Sequence, residues 1–260
     1  MSYRGAIFDV DGVLVDSPHE RAWRDTLQKL METDWHSILP QTSYSPDKFT
    51  TAVYQEFVAG KPRMSGAQAA LEYFGIPDAA GRAVQYAERK QMQVVTLIEQ
   101  GQFTAFPDAL RFLLALKARG VHIAAASSSK NAKLFLQQIN LSTFAKQHDL
   151  SYDFLEPGLT LQNSFDADVT GRDFPQGKPH PQIFLTAAEE LGIPPEACVV
   201  IEDASAGVQA AKAGNMGAIG VARLGDEALL EAVHADLVVT SLDDVDLDAL
   251  QQGKLQRRTR

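Results

Sequence analysis

The spacing of apolar positions changes period twice along the chain, and the changes divide it. Ala6-Ile7-Phe8 is an apolar run cut off by Asp9-Val10-Asp11-Gly12, the pattern of a short buried strand ending in a turn. From residue 18 to 103 apolar positions recur at helical spacing, with Trp23, Leu27 and Leu30 in one stretch and further helical patterns over 67–74 and 84–99. Nothing in that range reads as a strand. Its aromatic residues, Trp23, Trp35, Tyr44, Phe49, Tyr54, Phe57, Tyr73 and Phe74, are expected to form a small core of their own. Lys61-Pro62-Arg63-Met64-Ser65, between Gly60 and Gly66, reads as a basic loop.

Beyond Phe106-Pro107-Asp108 helix and strand alternate. An amphipathic helix over 109–119, with Leu110, Leu113, Leu114 and Leu116 on its apolar side, is stopped by Gly120. A strand over 121–126 runs into Ser127-Ser128-Ser129-Lys130-Asn131, and a helix over 132–139 follows, with at least one serine expected as its cap. Residues 143–165 break the alternation and read as a hairpin or lid. A short strand over 165–169, a helix over 181–191, a strand over 198–201, a small-residue helix over 204–213 and strands over 217–221 and 237–240 complete the pattern. Strands alternating with helices predict a parallel sheet. The expected fold is α/β, with a parallel-sheet core formed by residues 1–17 and 104–260 and an all-helical cap inserted at 18–103.

Charge narrows the function. With 24 Lys+Arg against 33 Asp+Glu the 260-residue chain carries a formal charge of -9, which argues against a nucleic-acid partner or an anionic membrane surface. The basic tail, Lys254, Arg257, Arg258 and Arg260, reads as a solvated terminus. The one cysteine, Cys198, excludes an internal disulfide and sits in an apolar run as a core residue. No apolar run approaches membrane-spanning length and no signal region precedes the first strand, so a cytoplasmic protein is expected, a monomer or weak homodimer.

The chemistry lies where strands end. Asp9 and Asp11 would point to opposite faces of a regular strand, so a turn beginning at Asp11 and Gly12 is needed to aim both at one site. Carboxylates held that close repel each other, and a hard divalent cation, Mg2+, relieves the repulsion. Asp-x-Asp-Gly is also found in calcium loops, but the alternating oxygen ligands and closing glutamate of an EF-hand do not follow. A second acidic pair, Glu202 and Asp203, ends the strand over 198–201, at the edge where open α/β sheets bind ligands. Ser127 and Ser128, at a strand-to-helix turn, are candidate phosphate contacts, because a hydroxyl and backbone N–H groups at a helix start attract anions. With Lys178 these residues are the inventory for phosphoryl transfer. A carboxylate attacks, cations neutralise developing charge, and a second carboxyl group moves the proton.

In this order, Asp9-Val10-Asp11-Gly12-Val13-Leu14-Val15-Asp16-Ser17, the Ser127 strand end, Gly177-Lys178-Pro179-His180-Pro181 and Ile201-Glu202-Asp203-Ala204 resemble the haloacid dehalogenase superfamily, in its helical-cap branch with a Rossmann-like core. The resemblance covers nearly the whole chain. It implies Asp9 as nucleophile, Asp11 as acid/base, Ser127 and Lys178 as holders of the phosphoryl group, and Mg2+ on Asp9, Asp203 and the backbone carbonyl of Asp11, with Glu202 beside them. The aspartate at Asp11 counts against a true dehalogenase. The opening motif, the segment Gly60-Lys61-Pro62-Arg63 to Gly75-Ile76 and the Lys-Pro helix are most similar to β-phosphoglucomutase-like proteins, which makes His19, Lys61 and Arg63 candidate cap contacts for a substrate. His19 and Trp23 stand two residues nearer the opening motif than in those relatives, and residues 145–164 are an insertion. The implied activity is Mg2+-dependent hydrolysis of a small phosphorylated metabolite, a sugar phosphate, through an aspartyl-phosphate. A sugar phosphomutase is the alternative. A non-catalytic phospho-sensor, with a similar acidic pocket but no need of a cap or of Asp11, is a second.

Overall fold

Strand β1 (Gly5–Phe8) is buried along its whole length, in keeping with its unbroken apolar run, and the rest of the core is laid out around it. The computed structural model describes residues 2–59 and 61–259, so Gly60 of the basic loop and Arg260 of the tail lie outside the described residues. The chain forms two compact units, Met1–Asp16 with Thr104–Arg260, and Ser17–Phe103. After β1 comes the two-residue strand β2 (Val15–Asp16), and then the helical unit: α1 (His19–Glu32), α2 (Thr51–Phe57), α3 (Arg63–Tyr73) and α4 (Ala79–Glu99). The chain re-enters the first unit through β3 (Thr104–Ala105), which pairs antiparallel with β2. It continues as α5 (Pro107–Ala118), β4 (His122–Ala125), α6 (Ala132–Gln138), α7 (Leu141–Gln147), α8 (Leu161–Ser164), β5 (Ala167–Asp168) and α9 (Gln182–Leu191). The last elements are β6 (Cys198–Glu202), α10 (Ser205–Ala213), β7 (Gly217–Val221), α11 (Glu227–Ala232), β8 (Leu237–Val239) and α12 (Leu247–Gln251).

The six-stranded sheet has the order β5-β4-β1-β6-β7-β8, every neighbouring pair parallel. The fold is therefore α/β with a helical insertion. Strand β1 lies between β4 and β6, so the chain winds away from it in both directions and the carboxyl ends of three adjacent strands meet at one edge, the usual ligand site of such sheets. Ile7, Val200, Phe184 and Ile183 belong to the apolar cluster between sheet and helices, and Cys198 is buried there as a core residue.

In the helical unit Trp23, Trp35, Tyr44, Phe49 and Phe74 form the core, with Tyr54 and Phe57 packed at its margin. Tyr73 departs from expectation: it is 43% exposed, because it lies on the outer side of α3 and meets the core only through ring contacts with Phe57 and Phe74. Tyr86, which the pattern of apolar positions did not single out, is fully buried. Its ring meets Trp23 edge-on at 4.8 Å and its hydroxyl donates to the Trp23 carbonyl at 2.7 Å, which satisfies the one polar atom of a buried tyrosine.

Three further expectations are corrected and one is extended. The basic loop ends early, since Arg63, Met64 and Ser65 already form the first turn of α3. No serine caps α6: Asn131 holds the cap position and its side chain makes no capping bond to the helix, while Ser127 Oγ accepts from Ser129 N–H at 3.1 Å and Ser129 Oγ from Asn131 N–H at 3.3 Å, so the hydroxyls stabilise the turn itself. The hairpin expected within 143–165 is a loop between two short helices, α7 and α8, closed by a single antiparallel bridge between Asn140 and Thr160. The tail is exposed at Lys254, Arg257 and Arg258, as expected, and is tethered as well: Arg257 bridges Val245 and its guanidinium donates to the Val238 carbonyl at 2.8 Å. Among the described residues no helix is long and apolar enough to cross a membrane.

A buried ion pair ties the core together. Asp108, in the first turn of α5, accepts from Arg223 Nη1 at 2.8 Å, Leu242 N–H at 2.8 Å and Ser241 Oγ at 3.1 Å. Burial pushes its carboxyl up, but the hydrogen bonds from Arg223 and Leu242 outweigh it and hold the group below the usual carboxylate range. A carboxyl depressed in the folded state contributes stability above the unfolded pKa and loses it as pH falls through the folded one. Asp108→Ala strands a buried guanidinium and is expected to cost about 3–5 kcal/mol in denaturant unfolding at pH 7. That deficit should shrink in acid, and a cost independent of pH would contradict the assignment.

Candidate active site

Each acidic pair arrives where a strand runs out. Asp9 follows β1, and its N–H donates to the Ile201 carbonyl at 3.0 Å, one last rung of the sheet. The turn then reverses: Gly12 N–H donates to the Val15 carbonyl at 2.8 Å, Leu14 and Val15 N–H to the Val10 carbonyl at 2.9 and 3.0 Å, and Gly12 adopts φ +83°. Glycine is required there twice over, because a Cβ on Gly12 would fall 1.9 Å from Asp203 Oδ2. The second acidic pair is thus packed directly on the turn that carries the first. On the other side Ala126 N–H donates to the Phe8 carbonyl at 2.8 Å, so Ser127 and Asp9 leave the sheet from bonded neighbours. Ser127 is buried, and Ser128 faces solvent.

Lys178 is the cation of the site. Its Nζ lies 2.5 Å from Asp9 Oδ1 and 2.5 Å from Glu202 Oε1, and 4.9 Å from the centre of the Phe184 ring. A lysine before a helix is ordinarily surface, yet this one is 14% exposed. The other oxygen of Glu202 accepts from the N–H groups of Asp203 at 3.1 Å and Ala204 at 3.0 Å, so the carboxylate is fixed on both sides. Gly207, in α10, makes room for it: a Cβ there would lie 1.9 Å from Glu202 Cδ. Neither Gly207 nor Phe184 was a candidate from sequence. The run Ala204-Ser205-Ala206-Gly207 was read only as a helix packed closely on the sheet, and its signal was the small residue five positions after the glutamate.

The electrostatics follow from crowding. Burial pushes the Asp9 carboxyl up to about 7, with the Lys178 ammonium opposing and Glu202 and Asp11 adding to the rise. Asp203 is pushed well up by burial and then by the charges of Glu202 and Asp9. Burial works against the Lys178 ammonium, but Asp9 and Glu202 together hold it protonated above its ordinary range. Four carboxyl groups therefore share one ammonium, and the surplus negative charge suits a hard divalent cation. Among the described residues no three acidic, histidine or cysteine side chains converge as a ready-made cage. Magnesium held through one or two carboxylates, a backbone carbonyl, water and phosphate oxygens does not need one, so the donor set fits.

His19, Lys61 and Arg63 belong to the helical unit. His19 opens α1, and its Nδ1 lies 3.1 Å from Nζ of Lys90, a buried lysine whose ammonium is 4.7 Å from the centre of the Trp23 ring. Lys61 and Arg63 are both exposed, with the Lys61 ammonium 6.0 Å from the centre of the Phe57 ring. Lys90 was not a candidate from sequence, since a lysine inside an amphipathic helix reads as its wet face.

A family model of haloacid dehalogenase-like hydrolases matches residues 3–215. A β-phosphoglucomutase of Mycobacterium bovis is 32% identical over 93% of this chain and 91% of its own length. Hexitol phosphatase A of Escherichia coli is 28% identical over 97% of this chain and 98% of its own. Among solved structures, an archaeal β-phosphoglucomutase from Pyrococcus sp. strain ST 04 superposes with a TM-score of 0.69 at 27% identity, covering 96% of this chain and 97% of that one. These relatives include both mutases and phosphatases, and the motifs at the ends of β1, β4 and β6 are in the order the superfamily resemblance requires. The chain belongs to the haloacid dehalogenase-like hydrolases, in the β-phosphoglucomutase-like branch with a helical insertion, and is a phosphotransfer enzyme.

Proposed function

We propose that the protein is a Mg2+-dependent phosphatase that hydrolyses a small phosphorylated metabolite, a sugar phosphate, through a phosphoryl group carried on Asp9. The observation that carries this reading is the Lys178 ammonium held 2.5 Å from both Asp9 and Glu202, with Asp203 packed on the Gly12 turn. An Asp9 oxygen attacks phosphorus, and the bond to the leaving oxygen breaks as Asp11 gives that oxygen a proton. Asp11 then takes a proton from water, which attacks the aspartyl-phosphate and releases inorganic phosphate. Lys178 neutralises charge on the phosphoryl oxygens, Ser127 donates to one of them, and Glu202 keeps Lys178 in place. Asp9, Asp203 and the Asp11 carbonyl would hold Mg2+, with Glu202 close by, and the ion supplies charge neutralisation for the incoming anion. Substrate selection is assigned to the helical unit, with His19, Lys61 and Arg63 as its candidate contacts.

The 32% identity to the mycobacterial β-phosphoglucomutase favours a second reading, in which a sugar hydroxyl takes the place of water and the reaction is a mutase. Phosphorus NMR of the protein with Mg2+, β-glucose 1-phosphate and a trace of glucose 1,6-bisphosphate separates the two. Inorganic phosphate is the expected product. Glucose 6-phosphate without matching inorganic phosphate would establish the mutase instead.

The raised carboxyl groups give a metal prediction. Asp9 and Asp203 bind protons more tightly folded than unfolded, so without metal the stability they contribute declines as pH rises from about 4, the ordinary carboxyl range, through their raised folded values, about 7 for Asp9. Mg2+ needs the same groups ionised. The gain in melting temperature from Mg2+ should therefore be larger at pH 8 than at pH 5. An equal gain at both would place the ion elsewhere.

A further inference from the structure

The turn that carries Asp11 closes on itself through the Val10 and Val15 carbonyls, and two of its other carbonyls are taken by distant residues of the same unit. Leu14 O accepts from Phe106 N–H at 2.9 Å, and Val13 O accepts from Arg223 Nη2 at 3.3 Å. Arg223 stands two residues past β7 and is 14% exposed. Its Nη1 is bound to Asp108, and its Cζ lies 4.0 Å from the centre of the Phe106 ring. Asp108 is fixed in turn by Ser241 and Leu242. One planar guanidinium thus bonds the catalytic turn along one direction, the start of α5 along another, and stacks on the residue that follows β3.

We infer that Arg223 is a positioning residue for Asp11: it anchors the Val13 carbonyl and so fixes the turn that presents the acid/base carboxyl. The inference rests on the reading of Asp11 given above. Proton transfer requires the carboxyl within hydrogen-bond reach of the leaving oxygen, and small misplacements are costly to the rate. Arg223 directs Nη1 to Asp108 and Nη2 to the Val13 carbonyl, so its effect should be confined to steps in which Asp11 moves a proton. A lysine keeps the charge beside Asp108 but cannot span Asp108 and Val13 with fixed donors.

The test compares kcat/KM for p-nitrophenyl, phenyl and p-methoxyphenyl phosphates with Mg2+, because the more basic the departing phenol, the more it needs a proton. In Arg223→Lys the value for phenyl phosphate should fall on the order of tenfold further than that for p-nitrophenyl phosphate, as expected for a weakened general acid. Asp108→Asn, which leaves an acceptor but removes the charge that fixes the guanidinium, should discriminate in the same direction, less strongly. It keeps the test decisive if Arg223→Lys folds poorly. Ser241→Ala, which removes one neutral donor to Asp108 but leaves its ion pair with Arg223 and its bond from Leu242 N–H intact, should keep the wild-type ratio. A uniform fall for all three substrates in Arg223→Lys and Asp108→Asn would mean a structural role only and overturn the inference. Asp11→Asn separates the two levels. If it fails to discriminate among the phenols, the acid/base reading falls; if it discriminates and the Arg223 variant does not, only the positioning role falls.

Discussion

Asp9→Asn should lose at least about a thousandfold in kcat while the protein melts no lower than the wild type. The two halves of that result have different causes. An amide has no anionic oxygen to attack phosphorus, and nothing else beside Lys178 replaces it, since Glu202 is already bound by the Asp203 and Ala204 N–H groups. The amide is also nearly isosteric. Burial pushes the Asp9 carboxyl up to about 7 in a site crowded with other carboxylates, so removing its charge relieves repulsion that folding otherwise has to overcome. A melting temperature equal to or above that of the wild type, together with lost turnover, marks a group kept for chemistry. Turnover within tenfold of wild type would remove Asp9 from the mechanism.

The second large effect is expected at a residue that carries no charge itself, at Gly207→Ala. In the interior of a helix that exchange ordinarily gains about 1 kcal/mol. Here the new Cβ would lie 1.9 Å from Cδ and Oε1 of Glu202 and 2.5 Å from its Cγ. The glutamate cannot retreat, because it is 1% exposed and its backbone belongs to β6. Its carboxylate must leave Lys178 or the helix must lift from the sheet, and either displaces the ammonium from Asp9. Activity should fall by about two orders of magnitude, the loss typical of a misplaced catalytic group, and the melting temperature should fall as well. Gln209→Ala, on the exposed side of the same helix, should change neither. If Gly207→Ala is as active as Gln209→Ala, Glu202 is not what holds Lys178 in place.

Legibility in the sequence followed the length and composition of each signal. Strands β1 and β6 could be read because burial on both faces demands unbroken apolar runs, and the acidic residues that end them stand out against those runs. Strands β2 and β3 are two residues each and carry no period at all. The loop between α7 and α8 was misread because helices this short leave only a turn or two of pattern. Arg63 and the tail arginine Arg257 were read from charge alone, while their places in a helix and in a bridge come from backbone bonds. Asp9, Asp11, Lys178, Glu202 and Asp203 were legible because a catalytic site needs unusual residue types at strand ends. Gly207, Phe184 and the Arg223–Asp108 pair were not, since a small, an apolar or a paired residue looks the same in the sequence whatever it supports.

The central claim is that phosphorus is carried on Asp9. The most direct measurement is to mix the protein and Mg2+ with p-nitrophenyl phosphate, quench in acid during turnover, reduce with borohydride and map the modified residue by peptide mass spectrometry. Reduction of an aspartyl-phosphate leaves homoserine, and the account predicts it at position 9 and nowhere else. Turnover with position 9 unmodified, or with the phosphoryl group on Ser127 or another residue, would contradict it.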